Sequence, residues 1–487
     1  MLTQSQEENV GFECLKIASE IPEFPALIND EMTVSFAQLA SVSVAFAHAM
    51  KSYGVSRDSI VAINTKDTLV SLATLIATSL LGSRWVEAGR ILAQSKAVRP
   101  THFFRSPEAS GSRKVNFVVM DGSWAPDQNQ TAEPDKLPFA VCEDKEAAWL
   151  IVKTSGTTGT PKYLELSNRT VFARSKAVND DFVPGETKFS SLFSCTAYPF
   201  ITRAIASLIN GCTIVDSRDI SLWQKVGVNL VMGSPRQVSE LLSGSRIRPK
   251  IPQVHIAGSV LNDELSLELL TNFTKVVDVY ASTETNRSFK NIKCLDEDGN
   301  LTTTGESVDS TVEIIDDNDN LCGPGESGVV RVTNPYLAKG YLNNPSAAAK
   351  AFKGNWFYPG DVASWGENGE LKVSGRVDDV ANFGGVKIDM RLVDTILKSI
   401  DGVEGAVCFE NPKPGGSGEL LALIQISERA SPLDCIEKAK LECLVKLGKL
   451  ATPKRISVTK EIPLTEEGRP HRTYCQNLVL ERRQTTN

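Results

Sequence analysis

The sequence predicts an α/β protein with a large N-terminal domain of doubly wound β-sheets, a distorted β-barrel subdomain and a small α+β C-terminal domain. Three observations lead to this fold class. Helical and strand patterns alternate from about Ser35 to Met232, short β segments separated by Gly, Asp and Asn fill 302–341, and a smaller α+β pattern follows from Val377. A chain of 487 residues is also too long for one compact core. We therefore expect two domains, 1–376 and 377–487.

The first part of the chain shows the alternation of elements that a layered α/β fold needs. Apolar residues recur at helical spacing from Ser35 to Ser52, and a turn and strand are predicted for 56–63. The apolar stretch Leu69–Gly82 is interrupted by Ser and Thr and is too short to span a bilayer, so it predicts a buried helix. Further strands are predicted at Val115–Met120 and Ala148–Val152.

The pattern after residue 162 predicts a largely parallel sheet. A strand at Ser190–Phe193 precedes a helix at Thr202–Ile209, and strands follow at Cys212–Val215 and Val228–Met232. Parallel strands need crossover connections, which helices usually supply. This alternation therefore indicates a doubly wound arrangement.

Two later stretches have a different sequence pattern. Val312–Ile315 and Gly328–Val332 are short strands bounded by turn residues, which predicts an antiparallel or barrel-like subdomain. Beyond residue 377, helices are predicted near Arg391–Ile400 and Leu433–Leu447. These helices define the smaller α+β domain.

The charge and cysteine content argue against several classes of protein. The net charge of −7 is small for this length and is not gathered into a run, so no nucleic-acid partner is predicted. The ten cysteines form no Cys-x-x-Cys pairs and the four histidines are isolated, which argues against a disulfide framework or a zinc site. The polar, acidic N-terminus is unlike a secretory signal. We expect a cytoplasmic protein with reduced thiols and no membrane span.

The most informative stretch runs from Lys153 to Lys162, directly after the predicted strand Ala148–Val152. Its glycines let the backbone approach an anionic ligand, its hydroxyls can donate hydrogen bonds to phosphate oxygens, and its lysine adds a positive charge. It is not the common nucleotide P-loop, which ends in Gly-Lys-Ser/Thr, because Pro161 precedes Lys162 and Tyr163 follows it. Taken alone, the stretch is also consistent with an ordinary turn between strands.

Four further motifs carry residues suited to a nucleotide. In chain order they are Tyr280–Glu284, Trp356–Asp361, the pair Gly375–Val380 and Gly384–Ile388, and Pro463–Arg472. The ring of Tyr280 can stack on a purine, and Glu284 offers the hard oxygen ligands that Mg²⁺ prefers. Asp361 follows a turn and is suited to a ribose diol.

In this order the motifs resemble those of the adenylate-forming superfamily of acyl-CoA and aryl-CoA synthetases, nonribosomal-peptide adenylation domains and luciferases. The resemblance covers about Pro25–Arg472. It implies an AMP-binding enzyme in which ATP and a carboxylic acid give an acyl adenylate and pyrophosphate, after which a nucleophile attacks the acyl carbon and releases AMP. It also implies Mg²⁺ as a cofactor and a mobile C-terminal domain that rotates about a hinge at Asp378 between the two half-reactions.

The resemblance also implies roles for individual residues in nucleotide binding. The stretch Thr154–Lys162 would hold the β- and γ-phosphates, Tyr280 would line the adenine site, and Asp361 would accept from the ribose hydroxyls with Arg376 nearby. The full implied set is Thr154, Ser155, Gly156, Thr157, Thr158, Gly159, Lys162, Gly258, Ser259, Tyr280, Ala281, Ser282, Thr283, Asp361 and Arg376. Taken singly, Tyr280 is equally consistent with a core aromatic residue, Asp361 with a turn and Arg376 with a surface ion pair.

The implied catalytic residues are Thr283 at the α-phosphate, Glu284 on Mg²⁺, and the cations Arg469 and Lys387. Arg469 is the sharpest departure from the family pattern, because relatives carry a lysine there that bridges the substrate carboxylate and the α-phosphate. Arginine ends in a planar guanidinium with several donors, whereas lysine ends in a single compact ammonium group. The exchange is therefore not conservative at a site that requires one fixed geometry. Either Arg469 performs this task, or adenylation is slow, or Lys387 shares it.

The remaining implied residues concern the acid and its acceptor. Tyr198, Phe200 and Ser234 are candidates for the acyl pocket, and Gly385 would lie beside the tunnel through which a thiol enters. The stretch 194–202 holds no acidic residue to pair with a substrate ammonium, which argues against an α-amino acid. An aryl, cyclic or medium-chain acid fits better.

Three kinds of protein remain open at this point. In the first, the acceptor is a thiol of coenzyme A or of a phosphopantetheinyl carrier protein. In the second, an amine such as an amino acid attacks the acyl adenylate and an amide forms. The third is a noncatalytic carboxylate or nucleotide sensor that keeps the fold.

Overall fold

The computed structural model describes residues 8–89, 92, 95, 97–110, 115–124, 137–154, 161–383, 386–413, 416–464, 470 and 472–484. These residues form helices and strands in alternation along most of the chain. The helices are α1 (Val10–Glu20), α2 (Phe36–Ser52), α3 (Thr68–Leu81), α4 (Asn168–Lys176), α5 (Tyr198–Ile209), α6 (Ile220–Val226), α7 (Pro235–Leu242), α8 (Asp263–Leu269), α9 (Pro345–Ala351), α10 (Met390–Lys398), α11 (Pro432–Leu447) and α12 (Arg472–Gln484).

The strands are numbered in chain order. The first fifteen are β1 (Pro25–Asn29), β2 (Thr33–Ser35), β3 (Ile60–Asn64), β4 (Arg84–Glu87), β5 (His102–Arg105), β6 (Val118–Val119), β7 (Ala148–Thr154), β8 (Lys162–Ser167), β9 (Lys188–Ser191), β10 (Thr213–Asp216), β11 (Leu230–Gly233), β12 (Ile251–Ile256), β13 (Phe273–Ser282), β14 (Asn286–Leu295) and β15 (Leu301–Ser307). The others are β16 (Thr311–Ile315), β17 (Gly328–Thr333), β18 (Phe352–Lys353), β19 (Trp356–Phe357), β20 (Asp361–Trp365), β21 (Leu371–Arg376), β22 (Val380–Phe383), β23 (Val386–Asp389), β24 (Val403–Lys413), β25 (Gly416–Ile426) and β26 (Arg455–Thr459).

The predicted helices α2 and α3 are confirmed, and local chemistry explains their ends. The Ser35 hydroxyl accepts from the Gln38 N–H at 3.2 Å while the Gln38 side chain accepts from the Ser35 N–H at 2.8 Å, a capping box that begins α2. Gly82 ends α3 with a φ of 68°, in the left-handed region that glycine tolerates. The strand predicted at Val115–Met120 is wrong in extent, because only Val118–Val119 pairs with β5.

The predicted parallel, doubly wound sheet is confirmed. A nine-stranded sheet runs in the order β15-β14-β13-β12-β11-β9-β10-β1-β2, and its pairs from β1–β10 through β12–β13 are parallel. One face packs against α5 in the main hydrophobic core, and the other packs against α6, α7 and α8. Helices on both faces are what a buried parallel sheet needs.

Two further sheets complete the N-terminal part. A six-stranded sheet has the order β6-β5-β3-β4-β7-β8, in which β8 returns antiparallel beside β7. The stretch predicted to be barrel-like contributes β16 and β17 to another six-stranded sheet with β18–β21, and the pairs of that sheet are antiparallel.

The C-terminal part has its own core. Its strands form a hairpin, β22-β23, and a three-stranded sheet, β24-β25-β26. The hydrophobic clusters here combine residues from Ala381 to Val479 with each other, whereas the other clusters lie between Val10 and Leu371. The boundary between 376 and 377 stays a prediction. Among the described helices, none is both long and apolar enough to cross a membrane.

Candidate active site

The candidate site lies where loops leave the carboxyl ends of neighbouring parallel strands. Ser234 follows β11, Gly258 and Ser259 lie just after β12, and Thr283 follows β13. These loops lie side by side because β11, β12 and β13 are paired in parallel. Gly258 is exposed and has a φ of +94°, and a Cβ placed there would meet no atom of the described residues within 4 Å. A ligand can therefore approach this part of the loop closely.

Asp361 is held between Tyr280 and Arg376. The Tyr280 hydroxyl donates to Asp361 Oδ2 at 2.7 Å, and Arg376 Nη1 donates to Asp361 Oδ1 at 3.1 Å. The strand register explains the second contact, because Asp361 and Arg376 are directly opposite each other on β20 and β21. Sequence reasoning assigned these three residues to the nucleoside, and the structure brings them together.

The backbone and the protonation state of Tyr280 both support this cluster. Gly360 has a φ of +82°, and a Cβ there would lie 3.1 Å from Arg376 Nη2. Burial, followed by the Asp361 carboxylate, raises the pKa of Tyr280 well above its usual range, so the phenol keeps its proton and donates it. Each oxygen of Asp361 can accept more than one hydrogen bond, which leaves acceptor capacity for a ribose diol.

Glu284 and Lys162 meet at Tyr341. Glu284 is only 7% exposed, and its Oε1 accepts from the Tyr341 hydroxyl at 2.7 Å. Lys162 Nζ lies 4.8 Å from the centre of the Tyr341 ring, a cation–π contact. Burial and the neighbouring Glu284 raise the pKa of Tyr341, so it stays protonated. The residues that sequence reasoning assigned to phosphate and to Mg²⁺ therefore share one tyrosine.

The segment Tyr336–Leu342 joins two sheets at this point. The Ala338 N–H donates to the Glu284 carbonyl at 3.0 Å, and the Leu342 N–H donates to the Tyr163 carbonyl at 2.7 Å. Tyr163 lies on β8 of one sheet, and Glu284 follows β13 of the other. This bridging segment fixes the spacing between the phosphate-loop lysine and the buried carboxylate.

A buried arginine holds the Thr283–Glu284 backbone. Arg174 is fully buried on α4 and donates from Nη1 to the Thr283 carbonyl at 2.9 Å and from Nη2 to the Glu284 carbonyl at 2.7 Å. It also donates to the Tyr336 carbonyl at 3.0 and 3.1 Å and to the Tyr198 hydroxyl at 2.5 Å. All five N–H groups of the guanidinium are therefore used within the fold.

The hydroxyls beside this backbone differ in what they contact. Ser282 Oγ lies 2.8 Å from Thr285 Oγ1 and accepts from the Thr285 N–H at 3.1 Å. Ala281 is exposed and Thr283 is half-buried. Within the described part of the chain, the Thr283 hydroxyl has no hydrogen-bond partner, so it can donate to a phosphate oxygen.

The three candidate acyl-pocket residues lie in different surroundings. Tyr198 begins α5 and is half-buried, and its hydroxyl accepts from Arg174. Phe200 is 3% exposed and packs in the main hydrophobic core. Ser234 begins α7 with a capping box. Tyr198 is therefore connected through Arg174 to the Thr283–Glu284 backbone.

Several predicted residues lie outside the described part of the chain. They are Ser155, Gly156, Thr157, Thr158, Gly159, Gly385 and Arg469. The ends of the phosphate loop are described, and Thr154 is paired with Lys162 across β7 and β8. Asp378 lies in a short 3-10 helix, Val377–Asp379, and Lys387 lies on β23; the side chains of both are outside the described part.

The residue after the predicted hinge is paired with two arginines of the C-terminal part. Arg472 Nε lies 3.1 Å from Asp379 Oδ1, and Arg391 Nε lies 3.8 Å from Asp379 Oδ2. Arg472 Nη2 also contacts Asp394 Oδ2 at 2.9 Å. Because Arg472 begins α12, these contacts fix the start of that helix beside the predicted hinge.

Sequence reasoning missed Arg174 and Tyr341, and the reason is physical. The partners of Arg174 are mostly backbone carbonyls, which every residue possesses, and an arginine on a helix is usually interpreted as solvent-exposed. Tyr341 follows Gly340 in a stretch without helical or strand periodicity. No signal in a single sequence distinguishes either residue.

Glu284 fits a Mg²⁺ ion that is held partly by a nucleotide. The described residues contain no group of three or more His, Cys, Asp and Glu side chains that could hold a metal. Mg²⁺ commonly binds through one or two carboxylates together with substrate phosphates and water. A single buried carboxylate, with one oxygen oriented by Tyr341, matches that mode.

Comparisons with known proteins bear on the family and the fold of the chain. The family model of the AMP-binding enzymes matches residues 16–342. A D-alanine–D-alanyl carrier protein ligase of Lactococcus lactis is 23% identical over 501 residues, which cover 94% of this chain and 96% of the relative.

Two solved structures share the fold over nearly their whole length. O-succinylbenzoate coenzyme A synthetase from Bacillus subtilis, in complex with ATP and magnesium, has a TM-score of 0.78 at 21% identity and covers 95% of this chain and 99% of its own. An amide bond synthetase from Marinactinospora thermotolerans has a TM-score of 0.72 at 20% identity, covering 97% and 99% respectively.

Proposed function

The chain belongs to the AMP-binding enzyme family of adenylate-forming ligases, and from this premise we propose that it is an AMP-forming acid–thiol ligase. It activates a non-amino carboxylic acid as the acyl adenylate, releases pyrophosphate, and passes the acyl group to the thiol of coenzyme A or of a carrier-protein phosphopantetheine. The observation that carries the proposal is the meeting of Lys162 and Glu284 at Tyr341. Lys162 lies over the face of that ring and Glu284 accepts from its hydroxyl, which supports a phosphate-binding cation beside a metal-binding carboxylate.

In the first half-reaction, a carboxylate oxygen of the acid bonds to the α-phosphorus of ATP. The bond from that phosphorus to the bridging oxygen breaks, and pyrophosphate leaves. Lys162 and the loop before it hold the departing phosphates, and Thr283 donates to the α-phosphate. Glu284 would hold Mg²⁺, which would supply charge neutralisation at the phosphate oxygens. Arg174 fixes the backbone of Thr283 and Glu284 during this step.

The nucleoside is bound by the second cluster. Tyr280 offers its ring to the adenine while its hydroxyl donates to Asp361 at 2.7 Å. Asp361 accepts from the ribose hydroxyls, and Arg376 orients its carboxylate from the other side. Binding through these fixed groups positions the α-phosphorus for attack.

In the second half-reaction, the thiol sulfur bonds to the acyl carbon and AMP leaves with the electron pair of the broken carbon–oxygen bond. The thiol proton passes to solvent. Two of the similar proteins are named for thiol acceptors, a carrier protein in one case and coenzyme A in the other. Those names support a thiol as the acceptor for this chain.

The experiment that tests the proposal is a panel of aryl, cyclic and medium-chain acids, each incubated with the protein, ATP and Mg²⁺. We expect pyrophosphate to form only when an accepted acid is present. Mass spectrometry of the product with added coenzyme A, with phosphopantetheinylated carrier protein or with a simple amine then identifies the acceptor. If an amide forms and no thioester is detected, the acceptor is an amine and not a thiol. If no acid causes pyrophosphate release, the protein is a noncatalytic sensor.

The same assay tests the cation that departs from the family pattern. If Arg469 bridges the carboxylate and the α-phosphate, Arg469→Lys retains acid-dependent pyrophosphate release and Arg469→Ala loses roughly ten- to a hundredfold, since one charge-assisted hydrogen bond is removed. Lys387→Ala serves as the comparison. A larger loss in Lys387→Ala than in Arg469→Ala would assign the bridging role to Lys387.

A further inference from the structure

Arg203 is a buried arginine that the described part of the fold leaves without a direct partner. It lies on α5, is 3% exposed, and its Nε is buried with no hydrogen-bond partner among the described residues. Among the described residues it makes no hydrogen bond, and no carboxylate oxygen lies within ion-pair distance of it. Burial lowers the pKa of Arg203 to about 10, and the side chain therefore stays charged near neutral pH. Asp181 and Asp180 offset part of this charge at longer range, but a buried charge without a direct partner still costs free energy, which a bound anion would recover.

The carboxylates nearest to Arg203 are already paired with other cations. Asp181 Oδ2 lies 2.9 Å from Arg287 Nη1 and 3.7 Å from His255 Nδ1. Asp180 Oδ1 lies 2.6 Å from Arg287 Nη2. His255 adds no charge at neutral pH, because burial lowers its pKa to about 4. Arg203 therefore contributes a positive charge that these side chains do not neutralise by direct contact.

The position of Arg203 connects it to the acid end of the proposed site. It follows Tyr198 by five residues, about 1.4 turns of α5 and roughly 7 to 8 Å along the helix axis. Tyr198 is among the ionisable groups that act on it electrostatically, together with Asp180, Asp181 and Arg287. Tyr198 is in turn bound to Arg174, which holds the Thr283–Glu284 backbone.

We propose that Arg203 binds a second carboxylate of the substrate, so that the acid activated by this ligase is a dicarboxylic acid. The inference rests on the proposed function and narrows its substrate class. One carboxylate reacts with ATP beside Thr283, and the other lies deeper, against the guanidinium of Arg203. A planar guanidinium can donate two parallel hydrogen bonds to a carboxylate, which suits it to this task better than lysine.

The test uses matched pairs of acids that differ by one carboxylate. Hexanoic and hexanedioic acid form one pair, and phenylpropanoic acid and its ring-carboxylated form make the other. For the wild type, Arg203→Met, Arg203→Lys and a control, Lys293→Met, we measure kcat and KM in the pyrophosphate assay and, separately, acid binding by calorimetry. Lys293 is a suitable control because it pairs with Asp263 at 2.7 Å on a strand away from α5.

We expect the wild type to prefer the diacid at least tenfold in kcat/KM. In Arg203→Met, we expect the ratio of kcat/KM for the diacid to that for the monoacid to fall roughly 10- to 100-fold, mainly because the KM for the diacid rises. Arg203→Lys restores part of it, and Lys293→Met leaves it unchanged. A wild type that uses the monoacids equally well, or an Arg203→Met variant with an unchanged ratio, overturns the inference while the ligase function stands.

The calorimetric measurement of acid binding distinguishes the diacid proposal from the proposed ligase function. Diacid binding that is lost in Arg203→Met, without pyrophosphate release from any acid, upholds Arg203 as the anion site and overturns the ligase function. Absence of both binding and turnover with every acid, monoacids included, overturns both.

Discussion

The nucleotide side of the candidate site and its acid side treat buried charge differently. On the nucleotide side, Arg376 pairs with Asp361, and Arg174 donates all five of its N–H groups. On the acid side, Arg203 is almost as buried, yet within the described structure none of its nitrogens has a partner. A paired charge is part of the fold, whereas an unpaired one stabilises the protein only when a ligand arrives. If Arg203 binds a substrate carboxylate as proposed, the fold completes one half of the site by itself and the substrate completes the other.

Substituting each arginine by methionine gives the largest expected difference. Arg174→Met leaves the carbonyls of Thr283, Glu284 and Tyr336 without their donor, and we expect it to lower the free energy of unfolding by about 3 to 5 kcal/mol. Arg203→Met removes an unpaired charge, and we expect a change within about 1 kcal/mol or a gain in stability. Urea unfolding of both variants measures this. Equal losses of unfolding free energy in the two variants would mean that Arg203, like Arg174, has partners within the fold, and the contrast between the two arginines would not hold.

Glu284→Gln is expected to have the largest effect on activity on the nucleotide side. The amide loses the negative charge that Mg²⁺ requires, so we expect pyrophosphate release to fall roughly 100- to 1,000-fold while the fold persists. Tyr341→Phe is the matched control, because it removes the hydroxyl that orients Glu284 and leaves the carboxylate. A loss in Tyr341→Phe as large as that in Glu284→Gln would show that orientation, not charge, is the decisive property.

The nucleoside cluster allows a smaller, graded test. Asp361→Asn weakens the contacts to Tyr280 and Arg376 and the acceptor for the ribose, and we expect the KM for ATP to rise about tenfold. Tyr280→Phe keeps the ring and removes only the hydroxyl, so we expect a few-fold rise. Steady-state kinetics at saturating acid measures both. An unchanged KM in Asp361→Asn would place the ribose elsewhere.

The smallest expected effect concerns the pH dependence of stability around His255. Its folded-state pKa of about 4 lies below the ordinary value, so the unfolded chain binds a proton that the folded protein excludes. The neutral imidazole therefore contributes stability above about pH 6.5 that is lost as the pH falls towards 4. His255→Gln cannot titrate, and we expect its Tm to fall less than that of the wild type between pH 7 and pH 5. Parallel curves would mean that the pKa of His255 is the same in the folded and the unfolded protein.

The parts of the fold that follow from side-chain pattern were predictable, and those that depend on backbone pairing were not. The parallel strands β10 and β11 are apolar runs between helices, which a buried sheet requires. The antiparallel return of β8 beside β7 was left open, because the intervening stretch was consistent with a phosphate-binding loop and with an ordinary turn between strands, and no turn signature fixed the pairing. β6 was predicted too long, since an apolar run does not specify how many of its residues find a partner strand.

The candidate site divides in the same way. Tyr280, Asp361 and Arg376 lie in separate motifs whose order carried the family resemblance, and the strand register brings them into contact. Arg174 acts on carbonyls, and Arg203 is informative only through the contacts it lacks. Such properties exist in the folded chain and not in its residue pattern.

The bridging segment Tyr336–Leu342 has a consequence for local opening of the protein. Its amides donate hydrogen bonds to the Glu284 carbonyl on one side and to β8 on the other, so opening of the segment breaks its hydrogen bonds to both. The amide protons of Ala338 and Leu342 are then expected to exchange with solvent as one cooperative unit. A nucleotide that holds Lys162 and Glu284 in place would slow the exchange of both amides together, although it touches neither.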